Sequence, residues 1–168
     1  MKKIGLFYSF NTKKTSQTAI RIIEQFGEEN IESVNAEEIT EDQFVSFDNI
    51  IIGAPTWFDG ELPNYWDEFV PALEDLDLKD KNIAVYGAGD QKGYPENFVD
   101  AVGLMADLVE KQGAKLAGFT STEGYTFEGS RAVRDDKFCG LALDFENQSS
   151  KNKKRVTDWC NQLKKEFN

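Results

Sequence analysis

Five times along the chain a short apolar run gives way to a stretch whose apolar residues recur every three or four positions. Ile4, Leu6, Phe7 and Tyr8 mark a strand over residues 3–8, and Ala19, Ile22, Ile23 and Phe26 then fall at helical spacing, with Gly27 placed to end the helix. Residues 31–34 form a second predicted strand, and Thr40 is placed to cap a short helix over 41–45. The run Ile50, Ile51 and Ile52 is β-branched throughout, as suits a strand covered on both faces, and it stops at Gly53, Ala54 and Pro55. Pro63 suits the first position of the next helix, whose buried face carries Trp66, Phe69, Val70 and Leu73. Residues 83–86 repeat the buried run and lead through Gly87-Ala88-Gly89-Asp90 to a helix with Phe98, Ala101, Val102, Met105 and Val109 on one face. A fifth strand is predicted over 115–120. Residues 121–138 carry no such pattern, and a loop of that length in a compact domain is functional or an insertion. An apolar run resumes over 141–145, and a last helix, capped by Ser149 or Ser150, buries Val156, Trp159, Cys160, Leu163 and Phe167.

Strand and helix in alternation imply an α/β fold, a doubly wound parallel sheet with helices on both faces, and 168 residues fit one domain. Ligands of such sheets bind outside the carboxyl ends of the strands. Three loops leaving those ends are chemically marked. After the first strand, Ser9-Phe10-Asn11-Thr12-Lys13-Lys14-Thr15-Ser16 opens a helix. That arrangement suits a phosphate, because the first N–H groups of a helix lack acceptors and the helix dipole favours an anion. The plainer alternative is that Thr12 or Ser16 only caps the helix. After the third strand, Trp57 and Phe58 stand beside Asp59 and Gly60, where turns more often hold small polar residues. After the fourth come Gly89, Asp90, Gly93 and Tyr94. Two loops that each carry an aromatic, with glycines that let the backbone approach a ligand's polar edge, are suited to sandwich a planar ring. The alternative is that the aromatics close the core beneath their loops.

Composition narrows the chemistry. The chain has no histidine, which removes histidine triads, proton shuttles and the usual catalytic zinc sites. Its two cysteines, Cys139 and Cys160, lie too far apart for a Cys-x-x-Cys motif and are expected to be plain thiols. Redox chemistry here must therefore be carried by something bound. The net charge of −11 is concentrated: residues 22–78 hold 16 acids and no lysine or arginine. This acidic surface disfavours nucleic acid as a partner and suits a basic protein. No apolar stretch reaches the roughly 18 residues of a membrane helix, and Met1-Lys2-Lys3 leads directly into a strand, so a cytoplasmic location is expected.

The segments Pro55-Thr56-Trp57 with Gly60 and Leu62, Gly87-Ala88-Gly89-Asp90-Gln91-Lys92-Gly93-Tyr94, and Gly140-Leu141-Ala142-Leu143-Asp144 with Asn147-Gln148 resemble the long-chain flavodoxins over the whole chain. The resemblance implies the five-stranded order 2-1-3-4-5, with residues 121–138 as the long-chain insertion. It implies a monomeric, non-enzymatic carrier of single electrons that binds FMN non-covalently. Its partners would be redox proteins, such as a flavodoxin/ferredoxin NADP reductase or another reductase, and acceptor enzymes. The implied phosphate contacts are Ser9, Asn11, Thr12, Lys13, Lys14 and Thr15. The implied flavin contacts are Thr56, Trp57, Phe58, Asp59, Gly60, Gly89, Asp90 and Tyr94, with Trp57 and Tyr94 on opposite faces of the ring. The family also implies that the Phe58–Asp59 peptide turns on reduction, and the backbone restriction there is assigned to Asp59. Two positions depart from the family: Phe10 stands where it usually has Ser or Thr, and Lys13 where it usually has Gly. The weighed alternatives are an FMN-dependent quinone or nitro reductase of the same fold and a phospho-receiver domain. The second is disfavoured because Tyr8-Ser9 and Ala54-Pro55-Thr56 stand where a receiver needs acids.

Overall fold

The computed structural model describes residues 1–168. Parallel strands β1 (Ile4–Tyr8), β2 (Ile31–Asn35), β3 (Asn49–Gly53), β4 (Asn82–Ala88) and β5 (Lys115–Ala117) lie in the order β2-β1-β3-β4-β5. The helices are α1 (Lys14–Phe26), α2 (Glu41–Val45), α3 (Asn64–Leu73), α4 (Asp100–Lys111) and α5 (Ser149–Glu166). Successive strand residues point to opposite faces, and the core divides accordingly. Ile4, Leu6, Ile51, Ala84 and Tyr86 pack with Ala19 and Ile22 of α1 and Val156, Trp159 and Leu163 of α5. Phe7, Ile50, Ile52, Ile83 and Val85 pack with Phe44, Phe69, Leu73, Val102 and Met105 of α2, α3 and α4. Ile50, Ile51 and Ile52 are wholly buried, and each such side chain contributes about 1.5–3 kcal/mol.

Local signals act as expected where they are strong. Thr40 and Gln43 form a reciprocal cap on α2, with Gln43 N donating to Thr40 Oγ1 at 3.2 Å and Thr40 N to Gln43 Oε1 at 3.0 Å. Pro63 sits one residue earlier than expected, just outside α3, and neither Ser149 nor Ser150 caps α5, which begins after Gln148 without a side-chain cap. Val99 precedes α4 in the left-handed region, φ 47°, a conformation that β-branched residues rarely adopt.

The fifth strand is where pattern and structure diverge. It ends at Ala117, because Gly118, φ 81°, turns the chain away from the sheet. Trp159 Nε1 donates to the Gly118 carbonyl at 2.8 Å and Gly118 N donates to the Glu166 carboxylate at 2.6 Å, so α5 fixes the turn. The chain then builds a small antiparallel sheet from β6 (Thr120–Ser121), β7 (Val133–Arg134) and β8 (Lys137–Phe138), in the order β6-β8-β7. It returns as β9 (Leu141–Leu143), which pairs with the upper half of β4, Tyr86 opposite Leu141 and Ala88 opposite Leu143. Two-residue strands are too short to show a period in the sequence. The excursion is anchored by rings instead: Phe138 lies 5.0 Å from Tyr125 and 5.5 Å from Phe127, and both neighbour Phe98.

Gly140, at the seam between excursion and sheet, has no room for a side chain, since a Cβ there would collide with the Val85 carbonyl of β4. Gly140→Ala is expected to cost about 3 kcal/mol, read from urea unfolding midpoints. A variant as stable as the wild type would show that β9 shifts freely along β4.

Candidate cofactor site

The loop after β1 is built around Ser9, which is buried. Its carbonyl accepts from Thr12 N (3.3 Å), Thr12 Oγ1 (2.7 Å) and Ser16 Oγ (3.3 Å), and its hydroxyl oxygen accepts from Asn11 N at 3.3 Å. Lys13, the residue before α1, already has helical torsions, and no side chain caps the helix. The N–H groups of Lys13, Lys14, Thr15 and Ser16 consequently have no protein acceptor. Thr12 and Ser16 direct their hydroxyls to the Ser9 carbonyl and to each other (3.1 Å), so the plain capping alternative does not hold. A helix start without a cap forgoes roughly 1 kcal/mol, and an anion can supply what is missing.

Two residues expected to face the phosphate do not turn their side chains outward. Ser9 Oγ and Asn11 Nδ2 both donate to Glu37 Oε2, at 2.9 and 2.6 Å. Phe10, the departure from the family pattern, packs its exposed ring 5.0 Å from Tyr8, and Lys13 is exposed. Lys14 lies at the foot of the neighbouring cleft, where its ammonium pairs with Glu146.

That cleft, about 280 Å³, is lined by Lys14, Pro55, Thr56, Ala88, Gly89, Asp90, Tyr94, Phe145 and Glu146. The loops after β3 and β4 thus meet beside the start of α1. Trp57 and Glu61 exchange backbone hydrogen bonds of 2.9 and 2.8 Å, closing a tight turn over Phe58, Asp59 and Gly60. The left-handed torsions in it belong to Phe58 (φ 48°) and Gly60 (φ 92°), and Asp59 has none. Gly60 is further required because a side chain there would strike Asp100 and Asn97. Trp57 is partly covered and braced edge-on by Tyr65 at 6.0 Å, while Phe58 is 72% exposed and Tyr94 51%. Thr56 lines the cleft but turns its hydroxyl to α4, where it accepts from Ala101 N at 3.1 Å. It therefore supplies the side-chain cap that Val99, the residue before α4, cannot.

The loop after β4 is held by a carboxylate absent from the predicted site. Asp144 is fully buried, and its two oxygens accept five donors: Gln91 N (3.1 Å), Gln91 Nε2 (2.8 Å), Asn147 Nδ2 (2.9 Å), Glu146 N (3.0 Å) and Asn147 N (2.9 Å). Gln91 Oε1 in turn accepts from Thr126 N at 2.6 Å, tying the excursion to the same loop. Asp90 accepts from Gly93 N, Lys92 N and Asn147 Nδ2, and these bonds, Gly93 first and Asn147 second, hold its carboxyl below the usual carboxylate range. The sequence shows Gln91, Asp144 and Asn147 as a motif without showing their roles. Glu37 and Asn35 carry no sequence signal at all.

The arrangement offers donors for an anion at one end and the Tyr94 and Phe145 rings along the cleft, which Trp57 does not line, so it suits an elongated, planar, phosphorylated ligand. No group of three or more acidic, cysteine or histidine side chains is placed to hold a metal. Burial pushes the Cys139 thiol up to about 11 and Cys160 up to about 12, so neither is a ready nucleophile.

Comparison with known proteins gives a consistent result. The flavodoxin family profile matches residues 6–159. A flavodoxin of Nostoc sp. is 42% identical over 168 residues, covering 99% of this chain and 98% of the relative. The crystal structure of Fusobacterium nucleatum flavodoxin bound to flavin mononucleotide superposes with a TM-score of 0.95 at 35% identity, covering all of both chains. A lysine-to-glycine mutant of that flavodoxin, also bound to flavin mononucleotide, superposes equally well at 34% identity.

Asp144→Asn preserves volume but sets an amide against N–H donors. It is expected to lower stability by about 3 kcal/mol in urea unfolding and to speed hydrogen exchange at Gln91, Glu146 and Asn147. Unchanged exchange at those three amides would mean the loop is held by something else.

Proposed function

The chain belongs to the flavodoxin family, and from that premise we infer that it binds one FMN in the cleft between the β1, β3 and β4 loops. It is an electron-transfer protein and not an enzyme. The observation that carries the cofactor assignment is the row of four unpaired N–H groups at the start of α1, opening through Lys14 onto a cleft flanked by aromatic residues. When bound, FMN supplies the one-electron chemistry, and the protein supplies position and electrostatics. The Lys13 to Ser16 amides hold the phosphate, with Thr12 and Thr15 beside them and Lys13 adding charge. Trp57 and Tyr94 cover the ring, each contributing about 0.5–1.5 kcal/mol of stacking beyond area burial. The Phe58 to Gly60 turn and the Gly89-Asp90 backbone meet its polar edge.

Residues 1–168 act as one FMN-binding domain, with 121–138 as an insertion that braces the β4 loop. Redox proteins are its partners. Asp59, Glu61, Asp67 and Glu68 are exposed around the β3 loop and suit a basic docking face, such as that of a flavodoxin/ferredoxin NADP reductase, mainly by raising the association rate. No helix is long and apolar enough to cross a membrane. A cytoplasmic monomer is the form proposed.

Purified protein is expected to be yellow and to quench the fluorescence of its FMN, and Trp57→Ala or Tyr94→Ala to restore part of that emission. NADPH alone is expected to leave it oxidised until a reductase is added. A protein that takes up no FMN in titration would sink this reading. Lys13→Ala is expected to weaken FMN binding by roughly 1 kcal/mol at low salt and to flatten its salt dependence, because an exposed charge is screened over about 8 Å at physiological ionic strength. Equal affinities at low salt would place the Lys13 ammonium away from the phosphate.

A further inference from the structure

β1 and β2 stay in register to their last residues, Tyr8 opposite Asn35. The chain leaving β1 therefore runs beside the turn leaving β2, a short 3-10 helix at Ala36–Glu38. Three bonds cross between them. Phe10 N donates to Asn35 Oδ1 at 3.3 Å, and Ser9 Oγ and Asn11 Nδ2 donate to Glu37 Oε2 at 2.9 and 2.6 Å. Asn35 Oδ1 also accepts from Glu37 N at 3.2 Å, which fixes the base of that side chain. Glu37 takes part in none of the ion pairs of the molecule. An exposed carboxylate with no counter-ion thus accepts from the two side chains that lead into a row of bare N–H groups.

Its position has a definite consequence for Ser9. A hydroxyl has one proton, and because Glu37 takes it, the Ser9 oxygen is left to accept from Asn11 N. The same residue's carbonyl gathers Thr12 and Ser16. Glu37 thereby sets the direction of the hydroxyl about which residues 9–12 fold, and those residues set where α1 begins. Hydrogen bonds to an ionised acceptor are roughly twice as strong as neutral ones, so the acceptor orders the loop before any ligand arrives.

We propose that Glu37 is a positioning residue of the phosphate loop: it holds the Ser9 and Asn11 side chains and thereby secures the phosphate-specific part of cofactor binding, acting through them and not on the cofactor. The proposal rests on the FMN reading above for its ligand. Full-length apo-protein would be titrated with FMN and with riboflavin, which keeps the ring and lacks the phosphate. Glu37→Ala is expected to weaken FMN about tenfold, equivalent to 1.4 kcal/mol, while riboflavin affinity changes less than about twofold. Glu37→Gln, which keeps one acceptor oxygen, is expected to recover most of the loss. An Ala variant with wild-type FMN affinity, or one that loses both ligands equally, would overturn the proposal, as would a Gln variant no better than Ala.

Thermal melting of the apo-protein in inorganic phosphate tests the loop without a flavin. Phosphate is expected to raise the Tm of the wild type more than that of Glu37→Ala. Equal shifts, or no shift in the wild type, count against Glu37. A wild type stabilised by phosphate more than the variant, yet binding neither flavin, would refute the FMN reading and support the role of Glu37.

Discussion

Everything at the working edge of this molecule depends on the parallel pairing of β1, β3 and β4 with both faces covered. Gly5, Ile50 and Ile83 lie side by side, and the next two residues of each strand continue the register. With helices above and below, the backbone groups of these strands are consumed by their neighbours and the side chains by the two core layers. The pairing then stops, and three chains leave the same edge together. A site assembled from three loops is well ordered only if the strands that deliver them cannot slip. A one-residue shift of β3 would exchange Ile51 for Ile50 or Ile52 between the two cores.

Polar groups at that edge are treated in opposite ways. At the start of α1 four successive donors are left open, and the residues able to cap them are engaged with Ser9 or with each other. At Asp144 a buried carboxylate is saturated by five donors. A saturated buried charge makes a rigid support, whereas open donors make a receptor, because orphaned groups retain an unmet demand that a ligand can satisfy. The saturated carboxylate serves the β4 loop, and the open donors are the proposed receptor.

The excursion between β5 and β9 is integrated into this scheme. Its departure is fixed by α5 through Gly118, its return completes the pairing of β4, and between them Thr126 N reaches Gln91. The excursion is hydrogen-bonded through Thr126 N to Gln91, in the loop that carries Asp90 and Tyr94, and Asp144 holds Gln91 in turn.

Much of this is legible in the amino-acid sequence. Short continuous apolar runs and amphipathic stretches of period 3.6 specify strands and helices because burial acts on each element through its own local geometry. The order of elements specifies a parallel sheet, and the glycines and aromatics at strand ends mark which loops bear the ligand. The sequence also carries the long-chain flavodoxin motifs. What it does not contain is the destination of each polar side chain. Ser9, Asn11 and Thr56 read as polar groups of the site, but hydroxyls and amides advertise capacity without direction. Their acceptor or donor stands 28, 26 and 45 residues away, at Glu37 and Ala101. By propensity a left-handed torsion in the Trp57 turn suits Gly60, where it is found, but nothing in the sequence marks Phe58, which shares it within the Trp57–Glu61 pairing. The fifth strand reads as continuous to residue 120, yet Trp159 and Glu166 hold the turn at Gly118. Hydrophobic burial is nearly additive and can be read along the chain, whereas a hydrogen bond needs two specific groups in register, and only the folded sheet brings those groups together.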